Sequence, residues 1–258
     1  MNELSAWIGL WFMPANERTV RRKFLRRRAA SLRKMRAASW GRAPRQCPIC
    51  NYHGMFAPHG NAPRLDACCP SCGSLERHRL IHIFCERTTP FAKTHSILHF
   101  APEAHLRTFV ASRVGTYETA DLKDDAKLTH PRLNIEDTRL PDSQYDWIIC
   151  NHVLEHVNDT KALAEFYRML KPGARALITV PVAEGMPHTF DDPAIATPEA
   201  RLLHYGQADH VRYFGRDVRD RIRAAGFDLA EFGPEWPDVA THSISHDNTI
   251  FIATKPAA

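Results

Sequence analysis

No run of apolar residues in this sequence approaches the roughly 18 to 20 residues that a helix needs to cross a bilayer. The apolar stretch between Trp7 and Met13 is too short for that role, and it lacks the preceding basic residues of a secretory signal. Internal repeats are also absent, apart from two short cysteine turns. These absences argue against a membrane-spanning, secreted or repeat protein and predict a soluble, cytoplasmic globular chain.

Positive charge is concentrated at the start of the chain. The whole sequence carries a net charge of +5, whereas residues 1–45 contain twelve Lys or Arg and two Glu, so the remainder is acidic. The apolar residues that fall on one side of a predicted helix in this stretch are Val20, Phe24, Leu25, Leu32 and Met35. The pattern predicts a basic amphipathic arm that contacts either an anionic membrane surface, as a peripheral anchor, or RNA; the alternative is a helix whose arginines are simply solvated.

Four of the seven cysteines form two CPxC turns separated by 18 residues. This spacing is typical of a site in which two turns bring four thiolates around one tetrahedral zinc ion. Because four sulfur ligands leave no position for water, the zinc would be structural. Disulfides are one alternative, and Cys68 is an alternative ligand to its neighbour Cys69. The expected ligands, which keep the CPxC form in both turns, are Cys47, Cys50, Cys69 and Cys72.

Hydrophobic periodicity divides the chain beyond the arm into two further regions. Residues 46–89 contain the cysteine turns and little apolar periodicity, followed by a linker helix that Ser74 caps and that ends before Pro90. From residue 90 to residue 258, apolar runs alternate with helical segments, which predicts a parallel sheet with helices on both faces. The predicted fold class is α/β: a doubly wound Rossmann-like sheet, preceded by a small zinc-ribbon-like module and the basic arm.

One stretch of the larger region has the pattern of a complete βαβ crossover. The apolar run from Tyr145 to Cys150 predicts a strand buried on both faces, and it ends in the polar residues Asn151 and His152. A helix capped by Asp159 follows, and the letters KPG end it before the next strand. Because ligands bind at the carboxyl ends of strands in open α/β sheets, the polar residues after the first strand indicate a binding edge.

The letters NHVLEHV, followed by an amphipathic helix and by LKPG, resemble the middle of a class I S-adenosylmethionine-dependent methyltransferase of the HVLEH group, similar to methyltransferase type 11. The resemblance implies a methyltransferase whose donor is S-adenosylmethionine, bound by a Rossmann-like sheet. In this family a glycine-rich turn follows the first strand, whereas this chain reads HFAPE without glycine at 99–103. The small Ala101 and the helix-starting Pro102 predict that the turn keeps its geometry without residues of positive φ.

The ends of the first two predicted strands supply the first candidates for cofactor binding. His99 and Phe100 end the first strand, Ala101 permits close approach of a ligand, and Glu103 takes the place of the acidic residue usual in the family. The second strand ends at Asp121, where a carboxylate can accept hydrogen bonds from both ribose hydroxyls. We therefore expect Asp121 to bind the ribose.

The remaining candidates surround the adenine and the end of the fourth predicted strand. The resemblance implies that Asp137, or Glu136 as the second choice, meets the adenine amino group. The candidates that complete the pocket are Leu122 beside the adenine, Thr138 next to Asp137, and Asn151 and His152 at the end of the fourth strand.

Methyl transfer from a sulfonium is an in-line displacement, so the protein mainly aligns donor and acceptor and excludes water. A hydroxyl, amine or carbon-acid acceptor also needs a base, and histidine is suited because its pKa lies near neutrality. The segment 182–216 has little regular pattern and is predicted to form the acceptor-binding lid. Its YGQADHVRYF run resembles a patch of HVLEH-type enzymes, which makes His210 the first candidate base, followed by His156 and His152; buried structural histidines are the alternative.

The composition of this lid favours one class of acceptor. It is rich in His and Tyr and lacks dense basic residues, which favours a small molecule such as a sugar, a glycan or a lipid-linked metabolite. One alternative is an RNA methyltransferase in which the arm and the four-cysteine module contact phosphates. A second alternative is a non-catalytic zinc-ribbon binding or scaffold protein whose Rossmann-like half has lost its cofactor.

Overall fold

The computed structural model describes residues 43–60 and 63–257. Apart from residues 43–45, the predicted basic arm lies outside this range. The described chain forms two compact units. The smaller unit comprises the residues up to Leu75 together with Ala240–Ser243, and the larger unit comprises Glu76–Val239 and the residues from Ile244 onward.

The smaller unit is built from four short strands and has a small core. Strand β1 (Arg45–Gln46) pairs antiparallel with β2 (His53–Gly54), and β3 (Ala57–His59) pairs antiparallel with β4 (Arg64–Cys68). Its hydrophobic cluster has three buried members, which are Cys47, Phe56 and Cys69. A core of this size supplies little hydrophobic stabilisation, so the unit needs an additional cross-link such as a metal ion.

The larger unit contains a seven-stranded sheet with the spatial order β10-β11-β9-β8-β5-β6-β7. Its strands are β5 (Ser96–Phe100), β6 (Thr116–Asp121), β7 (His130–Pro131), β8 (Tyr145–Asn151), β9 (Leu170–Thr179), β10 (Asp228–Phe232) and β11 (Ile250–Thr254). The five strands from β5 to β9 run parallel, while β10 and β11 are antiparallel to their neighbours. The chain moves outward from β5 on one side and from β8 on the other, so the strand order reverses between these two strands.

Helices cover both faces of this sheet. They are α1 (Glu76–Thr88), α2 (Ala104–Ala111), α3 (Asp159–Met169), α4 (Pro198–Tyr205), α5 (Val218–Ala224) and α6 (Trp236–His242), with a 3-10 turn at Leu154–His156. Successive side chains of a strand point to opposite faces. Accordingly, Leu98 packs in one core cluster with Phe166 of α3, whereas Ile97 packs in the other with Leu80 of α1. None of the described helices is both long and apolar enough to cross a membrane.

Three local features differ from the sequence-based expectations. The boundary between the two units lies at Leu75 rather than at residue 89, because the buried face of α1 belongs to the core of the larger unit. The residue that caps α3 is Asn158, whose side chain accepts a hydrogen bond from the backbone N–H of Lys161 at 3.1 Å. The KPG letters lie within β9, where Gly173 adopts a φ of 78°.

Candidate functional site

The strand-order reversal between β5 and β8 brings two of the predicted cofactor residues into contact. Asn151, at the end of β8, donates from Nδ2 to Oε2 of Glu103 over 3.2 Å. Its Oδ1 in turn accepts a hydrogen bond from Oγ1 of Thr179 on β9 at 3.2 Å, so the amide is held from both sides. In doubly wound sheets a reversal of this kind opens the crevice in which nucleotides bind.

The turn between β5 and α2 adopts a left-handed backbone although it contains no glycine. Ala101 has a φ of 46°, and its N–H donates to the carbonyl oxygen of Ala120 at 2.8 Å. The prediction that the turn dispenses with positive φ was therefore wrong. A left-handed conformation costs an alanine roughly 1 to 2 kcal/mol. A larger or branched side chain would be strained more at this position. Glu103 occupies the N-cap position of α2 without capping it, so its carboxylate is available to the binding edge.

A buried polar network surrounds Glu103. His99 is fully buried, its Nδ1 lies 2.8 Å from the hydroxyl of Tyr117, and its Nε2 lies 3.4 Å from Oε2 of Glu103. Nε2 of His78 is 3.8 Å from the other carboxylate oxygen. Burial raises the pKa of Glu103, but the contacts with His99, His78 and Asn151 outweigh it and lower the pKa to about 2. The carboxylate is therefore ionised at neutral pH.

The lowered pKa of Glu103 predicts a specific loss of stability in acid. A carboxyl whose pKa is lower in the folded chain contributes stability above its ordinary pKa of 4.5, and this contribution is lost as the pH falls toward 2. We expect Glu103→Gln to lower the free energy of unfolding at pH 7 by roughly 3 kcal/mol, and we expect the difference from the unmodified chain to shrink below pH 4.5. Urea denaturation at several pH values measures it, with the exposed Glu86→Gln as control. If the difference in unfolding free energy between Glu103→Gln and the unmodified chain does not change with pH, the pKa of Glu103 is not lowered in the folded chain.

Asp121 lies at the carboxyl end of β6, as predicted, and its carboxylate is only lightly engaged. Oδ1 accepts a hydrogen bond from the backbone N–H of Lys123 at 3.1 Å, and Oδ2 lies 3.8 Å from the ammonium of the same lysine. The side chain is about one-fifth exposed. The neighbouring Leu122 is largely exposed, so its side chain is accessible to a flat apolar ligand. Phe100, in contrast, is buried and packs against Phe166 in the core.

The predicted adenine-binding residues are not linked to this edge by the contacts of the described structure. Asp137 is exposed and lies 3.3 Å from the guanidinium of Arg139. Thr138 is buried, and its N–H donates to Oε2 of Glu165 at 2.9 Å. Glu136, the second choice, accepts a hydrogen bond from the N–H of Asn158 at 2.8 Å. Of these, Asp137 has the carboxylate most accessible to a ligand.

The three candidate catalytic histidines lie around a fourth residue, Glu155. Nδ1 of His152 lies 3.2 Å from Oε1 of Glu155, and His152 itself has a positive φ of 52°. Nδ1 of His156 lies 3.2 Å from the carbonyl oxygen of Asp209, and the rings of His156 and His210 are 4.7 Å apart. His210 is 3% exposed, and burial lowers its pKa, so the ring is neutral at pH 7.

A buried ion-pair network fixes the chain segment that carries His210. Two residues further along, Arg212 contacts Oδ1 of Asp159 at 2.9 Å, and Arg221 contacts Oδ2 of the same carboxylate at 3.0 Å. Asp159 is 2% exposed and Arg212 is 8% exposed. Arg212 also donates to the carbonyl oxygen of Leu154 at 3.1 Å, next to Glu155. The network therefore couples the lid to the turn after β8.

Removing the shared carboxylate is expected to destabilise the larger unit. Asp159→Ala leaves the buried Arg212 with only the more distant and partly exposed Asp191 at 3.7 Å, which costs about 3 kcal/mol of unfolding free energy. The matched control is Asp220→Ala, which breaks an exposed ion pair with Arg223 and is expected to cost less than about 1 kcal/mol. Urea denaturation of both variants measures the difference. If both variants lose the same unfolding free energy, the buried ion pairs stabilise the fold no more than an exposed pair does, and the prediction is wrong.

The four predicted zinc ligands lie together in the smaller unit. Sγ of Cys47 is 3.7 Å from Sγ of Cys72, Sγ of Cys50 is 3.7 Å from Sγ of Cys69, and all four sulfurs lie within 4.8 Å of one another. These separations are far longer than the ~2.05 Å of a disulfide. They match the edge of a tetrahedron with zinc–sulfur bonds of ~2.3 Å, which is about 3.8 Å. The donor set therefore fits zinc, and Cys68 lies outside this cluster.

Hydrogen bonds at the cysteine turns lower the pKa of Cys50, whereas burial raises the pKa of Cys47 and of Cys69. Burial raises the pKa of Cys50, but the backbone N–H of Tyr52 and the side chains of Ser71, Cys72 and Cys69 outweigh it and lower the pKa to about 7. In Cys69, burial dominates and raises the pKa. A bound cation offsets that desolvation, because zinc binds the deprotonated sulfur.

Three functional candidates were not identified from the sequence as site residues. Tyr117 and His78 contact the His99–Glu103 pair, and Glu155 lies at the centre of the histidine cluster. The signal for Glu155 was its place between two histidines of the HVLEH letters. Tyr117 and His78 lie on a strand and a helix whose apolar pattern gives no sign of a ligand edge.

Comparison with known proteins was made at the level of family, sequence and fold. The profile of the methyltransferase domain family matches residues 25–231. A ubiquinone/menaquinone biosynthesis C-methyltransferase from Psychromonas ingrahamii is 29% identical over 112 residues, which cover 42% of this chain and 45% of the relative. A protein of the same name from Escherichia coli is 31% identical over 113 residues, covering 38% and 45%. The chain thus matches less than half the length of these curated relatives.

The fold agrees with one solved structure at low sequence identity. An S-adenosylmethionine-dependent methyltransferase from Mesorhizobium loti superposes with a TM-score of 0.51 and 12% identity, covering 68% of this chain and 98% of that protein. At this identity the likeness shows the fold alone. Together with the strand order, it confirms the predicted doubly wound, Rossmann-like sheet.

Proposed function

The chain belongs to the methyltransferase domain family, and we propose that it is an S-adenosylmethionine-dependent methyltransferase whose methyl acceptor is a small molecule. Family membership favours the enzyme over the alternative of a non-catalytic scaffold. Sugars, glycans and lipid-linked metabolites are the acceptor classes that the His- and Tyr-bearing lid suits. The curated relatives are named for quinone biosynthesis, which is also small-molecule chemistry.

The observation that carries this proposal is the charge of the lid. Residues 182–216 contain five acidic and three basic residues, so this segment does not attract a polyanion. One of the three basic residues, Arg212, is buried against Asp159 and is not available to phosphate. The histidines and Tyr205 supply the hydrogen-bonding and apolar surface that small polar ligands need.

We assign the cofactor site to the crevice at the ends of β5, β6 and β8. Asp121 binds the ribose hydroxyls, since its carboxylate lies at a strand end and retains acceptor capacity. Glu103 and Asn151 face the methionine portion, where an ionised carboxylate suits an ammonium group. Leu122 and Asp137 are the exposed groups available to the adenine. When bound, S-adenosylmethionine supplies the activated methyl group.

The cluster of His152, His156 and His210 is the proposed site of acceptor activation. His152 follows Asn151 directly at the carboxyl end of β8, and Glu155 lies close to all three histidines, so we place the cluster beside the proposed cofactor site. His210 remains the first candidate because it is neutral at pH 7 and neither ring nitrogen has a hydrogen-bond partner of normal geometry in the described part of the chain.

Label transfer from methyl-labelled S-adenosylmethionine tests the acceptor class. The purified chain is incubated with a metabolite filtrate and, separately, with total RNA from the same cells. We expect label in the filtrate, and we expect Asp121→Ala to abolish it. Label that enters RNA and is released by nuclease, with none in the filtrate, would contradict the proposal and favour the RNA alternative.

Zinc in the four-cysteine cluster and a partner for the basic arm are separate proposals. The sulfur separations support a structural zinc ion at Cys47, Cys50, Cys69 and Cys72. The proposed contact of residues 1–45 with an anionic membrane surface rests on sequence alone. Flotation with anionic vesicles tests it: equal flotation of the full chain and a chain lacking residues 1–45 would remove the membrane contact.

A further inference from the structure

The cluster around Glu155 contains buried polar atoms that the protein itself leaves unsatisfied. Oε2 of Glu155 and both ring nitrogens of His210 are inaccessible to solvent and lack hydrogen-bond partners of normal geometry among the described residues, although the backbone of Tyr205 lies near the His210 ring. Glu155 is 1% exposed and His210 is 3% exposed. Each such atom costs about 1 to 3 kcal/mol, and an ionised carboxylate costs more. These three atoms therefore form a set of buried donors and acceptors that a ligand would satisfy.

The chemistry of the surrounding donors identifies the kind of cation. One carboxylate oxygen of Glu155 and one nitrogen each of His156 and His210 lie within 4.8 Å of one another. Imidazole nitrogens together with a carboxylate suit divalent transition metals such as zinc. By contrast, magnesium and calcium prefer oxygen ligands alone.

The contacts behind these donors resemble the outer contacts of metal-binding residues. Nδ1 of His156 lies 3.2 Å from the carbonyl oxygen of Asp209, an arrangement that assigns the proton to Nδ1 and leaves Nε2 to bind an ion. Oε1 of Glu155 is held by His152 at 3.2 Å, which leaves Oε2 for the metal. The backbone N–H of Val211 donates to the carbonyl oxygen of Glu155 at 2.9 Å, which holds the lid against the turn beside His210.

We propose that Glu155, His156 and His210 form a second metal site, distinct from the four-cysteine cluster, that binds one divalent transition-metal ion. Three protein ligands leave a coordination position open, which is typical of a catalytic ion rather than a structural one. The ion would take a hydroxyl oxygen of the acceptor at that position. This last role rests on the proposed function, whereas binding of the ion does not.

A bound ion would activate a hydroxyl of the acceptor for methyl transfer. Coordination lowers the pKa of the hydroxyl, and its proton passes to solvent. A lone pair of the resulting oxygen anion forms the new bond to the methyl carbon, while the bond from that carbon to the sulfonium sulfur breaks and leaves its electron pair on sulfur. The products are the methyl ether and the neutral thioether of S-adenosylhomocysteine. In this route His210 holds the ion and does not itself accept the proton.

Zinc content of the full-length protein tests the site without cofactor or acceptor. The chain is equilibrated with zinc, freed of loosely bound metal by gel filtration and analysed by mass spectrometry. We expect Glu155→Gln and His210→Asn each to contain one zinc ion fewer than the unmodified chain. His204→Gln, which changes an exposed histidine of α4, is expected to keep the full content. Zinc is also expected to raise the melting temperature of the unmodified chain but not of the two site variants.

Two results would overturn the proposal. One is an unchanged zinc content in Glu155→Gln when circular dichroism shows that the variant is folded. The other is a single zinc ion in the unmodified chain that disappears in Cys47→Ser. Because no methyl transfer is measured, a failure here leaves the assignment of the cofactor site and of the acceptor class to their own tests.

Discussion

A Cys47→Ser variant is expected to lose one zinc ion per chain and, with it, the fold of the smaller unit. The unit has three buried residues in its hydrophobic cluster, and two of them, Cys47 and Cys69, are themselves proposed ligands. Zinc binding supplies on the order of 10 kcal/mol to a module of this kind, which exceeds what so small a core provides. Metal analysis measures the ion, and limited proteolysis within residues 43–75 measures the loss of structure.

The matched control for this prediction is Cys68→Ser, which changes the cysteine next to the proposed ligand Cys69. The Cys68 thiol lies outside the four-sulfur cluster, 3.6 Å from the carbonyl oxygen of Cys69 and 3.7 Å from that of Gly73. We therefore expect Cys68→Ser to retain the zinc content and protease resistance of the unmodified chain. If Cys47→Ser keeps its zinc while Cys68→Ser loses it, the ligand set is wrong.

An Asp121→Ala variant is expected to bind S-adenosylmethionine about 10- to 100-fold more weakly. A hydrogen bond to a charged group contributes roughly 1.5 to 3 kcal/mol, and because water replaces part of the lost ribose contact, the expected net loss is equivalent to about one such bond. The carboxylate is not part of the hydrophobic core, and among residues 43–60 and 63–257 its side-chain contacts are with Lys123, so the fold should survive. Isothermal titration calorimetry of the two proteins gives the ratio of dissociation constants.

The control for this second prediction lies three residues further along the same loop. Asp124 is largely exposed and pairs with Arg132, and Asp124→Ala removes the same charge from the loop that follows β6. A general electrostatic effect would weaken binding equally in both variants. The proposed ribose contact requires a loss in Asp121→Ala and at most a small change in Asp124→Ala.

The sheet and the ends of its strands were largely predictable because their signals are local. The apolar run at 145–150 and the polar pair after it give both the strand and its end, and β8 indeed runs from Tyr145 to Asn151. Asp121 was recognisable because a carboxylate stands at the end of the second predicted strand. The cysteine spacing in the same way predicted which sulfurs come together.

The rest of the site depends on contacts between residues distant in sequence. Arg212 lies 53 residues after Asp159, and the local sequence around neither residue predicts their ion pair. The same holds for Tyr117 and His99, which belong to different strands and meet through the parallel register of β5 and β6. Periodicity reports which face of an element is buried but not which polar groups meet there.

Two local features escaped for other reasons. Helix α4 buries a single residue, Tyr205, within a segment that was predicted as irregular, although Thr197 caps its start and the left-handed Gly206 ends it. These end signals are local but were not used. Ala101 adopts a positive φ that side-chain identity disfavours, and the hydrogen bond to Ala120 and the surrounding sheet impose it, so there tertiary contacts override the local preference.

Titration of the unmodified chain with S-adenosylmethionine by calorimetry tests the central claim most directly, namely that the crevice between β5 and β8 is a working cofactor site. The glycine-free turn at 99–103 makes this test informative, because the family usually has glycine there. We predict saturable binding of one S-adenosylmethionine per chain, with S-adenosylhomocysteine competing for the same site. A folded, zinc-replete chain that shows no binding of either compound would contradict the account.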